Sequence, residues 1–331
     1  MKLSLDQIRS ITRGVVRVAE ENGAIRFYRF TNAQSAAYHA IGKMDFYTKT
    51  FGSAGVRLAF FSNTGHLAFS FFPYKASSRK HLNFDVCIDK KLVIHREYHL
   101  DDDPATFRFE AELPAGEKRV ELYLPFSTRT DLYDVTIDDG ATLTPAIRSH
   151  TLIEFGDSIT HGYDSHYPSL SYANRLGALL DADPVNKGIG GDVFFPALLD
   201  EGGDAYNAPD YITVAYGTND WSVRSREETR RAIREFYRKL SERYPTSKIF
   251  AITPIWRRGS DLLTTAYQAP LITVDKDIAE LVADLPNVVL IHGEYLVPHT
   301  PDFFIADCLH PNGFGFVQYA DNLYDEIRKH L

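Results

Sequence analysis

Three residues from two distant stretches of the chain have the types needed to act on one another: Ser158, and Asp307 with His310. Acyl transfer by a serine requires a hydroxyl, a base to take its proton, a group that orients the base, and donors for the developing oxyanion. Ser158, in GDSITHGY (156–163), supplies the hydroxyl. His310, in DCLH (307–310), is the candidate base. Asp307 sits three residues earlier, within reach of the imidazole Nδ1, where a carboxylate fixes the tautomer and stabilises the imidazolium. The candidate oxyanion donors are the Ser158 N–H, the Gly191 N–H in NKGIGGD (186–192) and the Asn219 side-chain amide in GTND (217–220). Losing one such donor typically costs about 2.7–4 kcal/mol of transition-state stabilisation.

Three of these segments must be positioned by strands. The apolar run 151–155 reads as a buried strand that ends at Gly156, which places Ser158 just past its C-terminal end. Further strands are predicted over 184–189, 211–216, 248–253 and 288–291. Helical patterns lie between them. Ser225 with Glu228 makes a capping box, and Ile233, Phe236, Tyr237 and Leu240 recur behind it at helical spacing. A last helix follows Pro311-Asn312-Gly313, with Tyr319, Leu323, Ile327 and Leu331 on one stripe. Strands joined by helical crossovers make an α/β fold over 149–331, a flavodoxin-like doubly wound parallel sheet. Ligands bind such sheets at the C-terminal strand edge, where GDSIT, NKGIGGD and GTND fall.

Residues 1–148 have a different texture. Phe107-Arg-Phe-Glu-Ala-Glu-Leu113 alternates strictly, as a half-buried strand does. Phe84, Val86 and Ile88 form another period-2 set, and Asp89-Lys90-Lys91 separates them from Leu92-Val93-Ile94 as a hairpin would. Other strands are predicted over 25–30, 56–61, 67–72, 120–124 and 132–137. Seven or eight short strands with polar punctuation predict a β-sandwich of jelly-roll type ahead of the parallel sheet.

The set GDSIT, NKGIGGD, GTND and DCLHPN resembles the four blocks of the SGNH (GDSL-type) hydrolase superfamily, in the family's order and over about 150–331. Matched residue by residue, the resemblance places the nucleophile on Ser158, the oxyanion glycine and asparagine on Gly191 and Asn219, and the acid and base on Asp307 and His310. No G-x-S-x-G surrounds Ser158, so the nucleophile-elbow esterases fit less well. A sandwich ahead of such a domain is similar to the carbohydrate esterases of family 2, which remove O-acetyl groups from sugars. Some members of that group rely on a Ser–His dyad; here the Asp-x-x-His pair is intact, which implies a full triad. The resemblance implies a small acylated substrate such as an acetylated sugar, with no metal and no organic cofactor. The catalytic blocks do not read the acyl or alcohol group, so a lipase or thioesterase stays open. A glycan-binding protein whose hydrolase domain is only a platform is the reading from another class.

Other residues near the blocks have both a functional and a plain reading. Trp256 and Arg257 follow the fourth strand and could stack on a sugar or bind an anion, or else cap the core and face solvent. Trp221 and Tyr163 could wall a pocket or simply pack. Asp157 and Asp220 are expected to hold loops, Cys308 to be a small buried hydrophobe, and His161 and His166 to be solvated. The net charge of −8 argues against nucleic acid as a partner. The two cysteines are far apart, and neither they nor the histidine spacings make a metal motif. The N-terminal MKLSLDQIRSITRG lacks the apolar region of a signal peptide, so a cytoplasmic location is expected, and no run approaches the roughly 18 apolar residues of a membrane span.

Overall fold

The computed structural model describes residues 1–100, 105–200 and 204–331. The first part holds two antiparallel sheets. Its strands are β1 (Thr12–Arg13), β2 (Arg17–Glu21), β3 (Ala24–Tyr28), β4 (Arg57–Ser62), β5 (His66–Lys75), β6 (His81–Ile88), β7 (Lys91–His99), β8 (Phe107–Glu112), β9 (Lys118–Tyr123), β10 (Thr128–Ile137) and β11 (Thr144–Pro145). One sheet runs β1-β4-β9-β6-β7, with β11 also on β4; the other runs β2-β3-β10-β5-β8. Period-2 alternation turns one face of each sheet inward. Leu58, Phe60, Val86 and Leu122 from one meet Phe27, Phe69, Phe109 and Leu132 from the other in a single core. Phe69 lies directly opposite Phe109 across β5 and β8, and their rings stack 4.7 Å apart. The β6–β7 turn has Asp89 and Lys90 both at positive φ, as a two-residue hairpin turn requires.

Helices interrupt this part where only strands were expected. Leu5–Ile11 is capped by Ser4 with Gln7, and Asn32–Ala40 by Thr31 with Gln34, each a complete capping box. Met44–Lys49 follows. These helices carry Tyr38, Phe46 and Lys49 toward the later loops.

The second part is one parallel sheet of β12 (His150–Gly156), β13 (Ala182–Asn186), β14 (Tyr211–Ala215), β15 (Lys248–Ile252) and β16 (Val288–Ile291), ordered β13-β12-β14-β15-β16. That is the order 2-1-3-4-5 of a doubly wound fold, with β12 between β13 and β14. Leu152, Phe250 and Ile252 pack on one face against Leu176, Phe316 and Tyr319. Ile153, Phe155 and Val214 pack on the other against Ile233, Phe236 and Tyr237. The last helix is Gly313–Ile327; Tyr319, Leu323 and Ile327 are buried as expected, whereas Leu331 lies beyond the helix and is exposed. Among the described residues no helix is long and apolar enough to cross a membrane.

Buried cations join the two parts. Arg29 donates to the carbonyls of Gly52 and Asn186, at 2.6 and 2.5 Å, and Lys49 Nζ donates to Gly190 O at 2.8 Å. Arg57 and Arg148 both reach Glu121, and Arg57 also pairs with Asp183 of β13. Lys187 is wholly buried against Asp204 at 2.7 Å. Among the described residues the hydrogen-bond acceptors of Arg29 are carbonyl and amide oxygens, and burial lowers its pKa to about 9.

Glu154 on β12 is fully buried, and among the described residues neither carboxyl oxygen has a hydrogen-bond partner. Burial pushes its pKa up to about 8, against the opposing pull of Arg57 and Arg148. In the unfolded chain the group ionises near 4.5. The folded state therefore holds a proton that the unfolded state gives up, and stability falls as pH rises from about 4.5 to about 8. Glu154→Gln removes that dependence. Urea denaturation of both proteins should show the variant gaining on the wild type between pH 5 and pH 8, by on the order of a few kcal/mol. A gap that stays constant over this range would mean Glu154 is not held protonated.

Candidate active site

The site is assembled on the C-terminal edge of β12, β14 and β15. β12 ends at Gly156, where a Cβ would sit 1.9 Å from Thr160 Oγ1, so only glycine lets the chain turn here. Asp157 caps the short helix Ser158–His161, its Oδ1 accepting from the Ile159 N–H at 2.9 Å. Gly162, at φ 98°, ends it. Ser158 is thus the first residue of a helix at the end of β12, an interior strand.

His310 reaches Ser158 from the loop before the last helix. Its Nε2 lies 2.8 Å from Ser158 Oγ and its Nδ1 2.6 Å from Asp307 Oδ2. The other carboxyl oxygen of Asp307 accepts the backbone N–H groups of Leu309 and His310, at 2.8 and 3.0 Å. This tight turn puts Cys308 at φ 49° and buries its side chain. Burial opposes the charge on Asp307; the hydrogen bonds from the imidazole and the two backbone donors outweigh it and hold the carboxyl below its usual range.

A second carboxylate stands nearby. Asp164 Oδ2 is 3.9 Å from His310 Nδ1, but both its oxygens are gripped by the Arg79 guanidinium at 2.8 and 2.5 Å. Tyr163 lies nearly parallel to the His310 ring, 6.0 Å away, with Arg79 over its other neighbourhood at 4.9 Å. Arg79 and Asp164 had no signal in the sequence, because the loop around Arg79 is remote and reads as an ordinary polar turn.

The glycine-rich loop after β13 is packed too closely for side chains. A Cβ on Gly190 would meet the Tyr163 ring at 2.5 Å, and Gly191 is at φ 88° against Phe46. His161 holds this loop. Its Nδ1 accepts from the Gly190 N–H at 3.2 Å while its Nε2–H donates to Phe126 O at 3.1 Å. Burial first, then the neighbouring positive charges of Arg29 and Lys49, keep His161 neutral, its pKa far below the usual value. The expectation of a solvated His161 is therefore corrected: both ring nitrogens are used inside the fold.

Asn219 opens the helix Thr218–Val223 after β14, and its Nδ2 donates to Asp192 O at 2.9 Å. Beneath it, Asp220 accepts from the Phe194 N–H and from Arg224. Asp192 accepts from Tyr38 at 2.5 Å. Burial raises Asp157 and Asp192 to about 7 and Asp220 to about 6. These three acids hold loops from inside, away from Ser158 Oγ.

A small cavity at the C-terminal edge of β12 and β14 is lined by Asp157, Ile159, Ala215, Ile255 and Leu309, with Thr218 and Arg257 at its polar side. Arg257 contacts Thr218 and Ser222 hydroxyls at 3.3 and 3.4 Å, and its buried Nε has no hydrogen-bond partner among the described residues. Burial lowers its pKa. Trp221 is placed otherwise than a ligand platform requires: it is buried, and its Nε1–H donates to Ala269 O at 2.7 Å. It is a core residue. Trp256 is half-buried with His299 stacked on it at 5.4 Å, and Tyr295 stacks in turn on His299 at 5.0 Å. The face available to solvent on that stack belongs to Tyr295.

A nucleophile-type serine, a histidine and a carboxylate in hydrogen-bonded sequence on an open parallel sheet define a class, the α/β ester hydrolases. Residues 155–316 match the GDSL-like Lipase/Acylhydrolase family, and this part of the chain is a GDSL/SGNH-type carboxylic ester hydrolase. No curated protein matches the chain. Among solved structures, it is similar to the salicylyl-acyltransferase SsfX3 from a tetracycline biosynthetic pathway, with 21% identity, TM-score 0.79, and 96% of this chain and 94% of that one covered. It is also similar to two family two carbohydrate esterases. The enzyme from Cellvibrio japonicus is 18% identical, with TM-score 0.66 and 98% and 96% coverage. The enzyme from Clostridium thermocellum, solved with cellohexaose, is 16% identical, with TM-score 0.65 and 84% and 93% coverage.

Proposed function

We propose that the protein is a serine esterase of small acyl esters, and in particular a carbohydrate O-acetyl esterase. The observation that carries the reading is the unbroken row from Ser158 Oγ through His310 to Asp307, at 2.8 and 2.6 Å. In this reading the Ser158 oxygen attacks the ester carbonyl as its proton passes to His310 Nε2. Asp307 accepts the His310 Nδ1–H and stabilises the imidazolium. The oxyanion is received by the N–H groups of Ser158 and Gly191 and by the amide of Asn219. An amide carries two N–H donors, and one is already fixed on Asp192 O, so the other is aimed by that bond. The alcohol leaves with the His310 proton. Water then attacks the acyl-serine, giving its proton to His310, and the acid departs as Ser158 is restored.

One observation supports a sugar alcohol. The fold similarity extends over both parts of family two carbohydrate esterases, one solved with cellohexaose. We place the division between the parts at 148/149, with the N-terminal sheets walling one side of the site.

Hydrolysis of p-nitrophenyl acetate, butyrate and octanoate, followed by acetylated sugars, tests the substrate class. Acetate is expected to be the fastest of the three by at least tenfold in kcat/KM, with acetate released from acetylated sugars. A preference for octanoate would replace the deacetylase reading with a longer-chain acylhydrolase.

A further inference from the structure

One cluster outside the catalytic row collects metal-ligand side chains from separate elements. On β7, His95 and Glu97 are two residues apart and point to the same face. His166 arrives from the loop after the Ser158 helix, where it sits at φ 60°. Glu97 Oε1 is 3.1 Å from His95 Nε2 and 2.9 Å from His166 Nε2. The three ligand atoms all lie within 4.8 Å of one another. Ligand atoms placed at about 2.0–2.2 Å around a tetrahedral ion are about 3.3 Å apart, so small shifts bring these to a shared ion.

An independent observation orients the cluster. Asp85, fully buried on β6 opposite His95, takes the His95 Nδ1 at 2.7 Å. Its second oxygen accepts the Ser169 N–H and hydroxyl at 2.8 and 2.5 Å, so the carboxylate cannot turn away. With Nδ1–H donated inward, the Nε2 lone pair faces Glu97 and His166. A carboxylate behind the distal nitrogen is how metal-binding histidines are fixed in tautomer and direction. The Tyr167 ring packs on His95 at 4.4 Å, and Asn83 donates to the His166 carbonyl, so the loop is already seated on the hairpin.

We propose that His95, Glu97 and His166 bind a zinc ion that pins the 163–167 loop to the β6–β7 hairpin. Two imidazoles and one carboxylate suit a borderline divalent ion over calcium or magnesium, which take oxygen ligands. Three protein ligands leave a fourth position for water. The ion takes no part in ester cleavage. Its effect is on the wall of the site, because the pinned loop carries Tyr163, against His310, and Asp164, held by Arg79.

The full-length protein, stripped with a chelator, is titrated with zinc chloride by calorimetry at pH 7.5, with Tm recorded in parallel. One equivalent should bind with micromolar or tighter Kd and raise Tm. Glu97→Gln and His166→Ala change half-exposed side chains and should fold; each is expected to weaken zinc by more than about 100-fold, and Asp85→Asn by about 10–100-fold. Magnesium should give no heat. Absence of zinc binding at 1:1 stoichiometry, or binding unchanged in Glu97→Gln, overturns the proposal. Should His166→Ala unfold, Glu97→Gln alone decides. The histidine–glutamate contacts would then be ordinary ion pairs, and none of these outcomes bears on the role of Ser158.

Discussion

Ser158→Ala is expected to lower kcat on p-nitrophenyl acetate by about 10⁴-fold or more, with the fold intact. The argument is geometric. The Ser158 hydroxyl is the one group at 2.8 Å from His310 Nε2, and alanine keeps the first turn of the helix, whose cap is the Asp157 side chain. Removing the nucleophile leaves oxyanion donors and binding, which retain about 10³–10⁴-fold of catalysis over water in triad enzymes. The loss is therefore large and incomplete. His310→Ala should cost about as much, and the double variant little more than either single one, since nucleophile and base act as a unit. Steady-state rates of the three variants test this, and a Ser158→Ala protein with more than about a tenth of wild-type activity would remove Ser158 from the mechanism.

Asp307→Asn is expected to lower kcat by about 10³–10⁴-fold at nearly constant KM and Tm. Asparagine retains an oxygen for the Leu309 and His310 N–H groups, so the loop should keep its shape. Its amide, however, presents N–H to His310 Nδ1. The imidazole then takes the tautomer with hydrogen on Nε2 and cannot accept the Ser158 proton. Asp164 is near enough to raise the question of a substitute, at 3.9 Å. Its two oxygens are already held by the Arg79 fork, and an orienting role would require breaking that pair. A loss of less than about tenfold would show that Asp164 can orient His310 and that the site works as a Ser–His pair with a reserve acid.

Much of the parallel sheet was legible because its signals are local. Strand 288–291 falls where the apolar run places it, and the Ser225–Glu228 box starts its helix. Three of the four motif segments could be set at one sheet edge because each follows a strand, and the topology of such sheets puts those ends together. The N-terminal hairpins were legible from period-2 alternation and the Asp89-Lys90 turn. The helix Asn32–Ala40 was not, although Thr31 and Gln34 make a capping box: its Ala-rich surface has a weak stripe beside strong strand signals.

What the sequence hid is long-range. Trp221 comes two residues after Asn219, yet the helix turns its ring into the core. His161 comes three residues after Ser158, and only the fold reveals that both its nitrogens are occupied. The grouping of His95, Glu97 and His166 left no spacing motif, because the first two share a strand face and the third comes from the loop after the Ser158 helix.

The carbonyl oxygens of the loop that carries Gly191 are met by Arg29 and Lys49, cations that belong to the N-terminal part. Lifting the parallel sheet out of the chain would leave those oxygens unanswered and loosen the loop of Gly191, the proposed oxyanion donor. The two parts therefore do not form an interchangeable cassette pair. Recombination that grafts a foreign sandwich onto this hydrolase half would have to bring an equivalent arginine and lysine with it, so descent with modification is constrained to change both halves together.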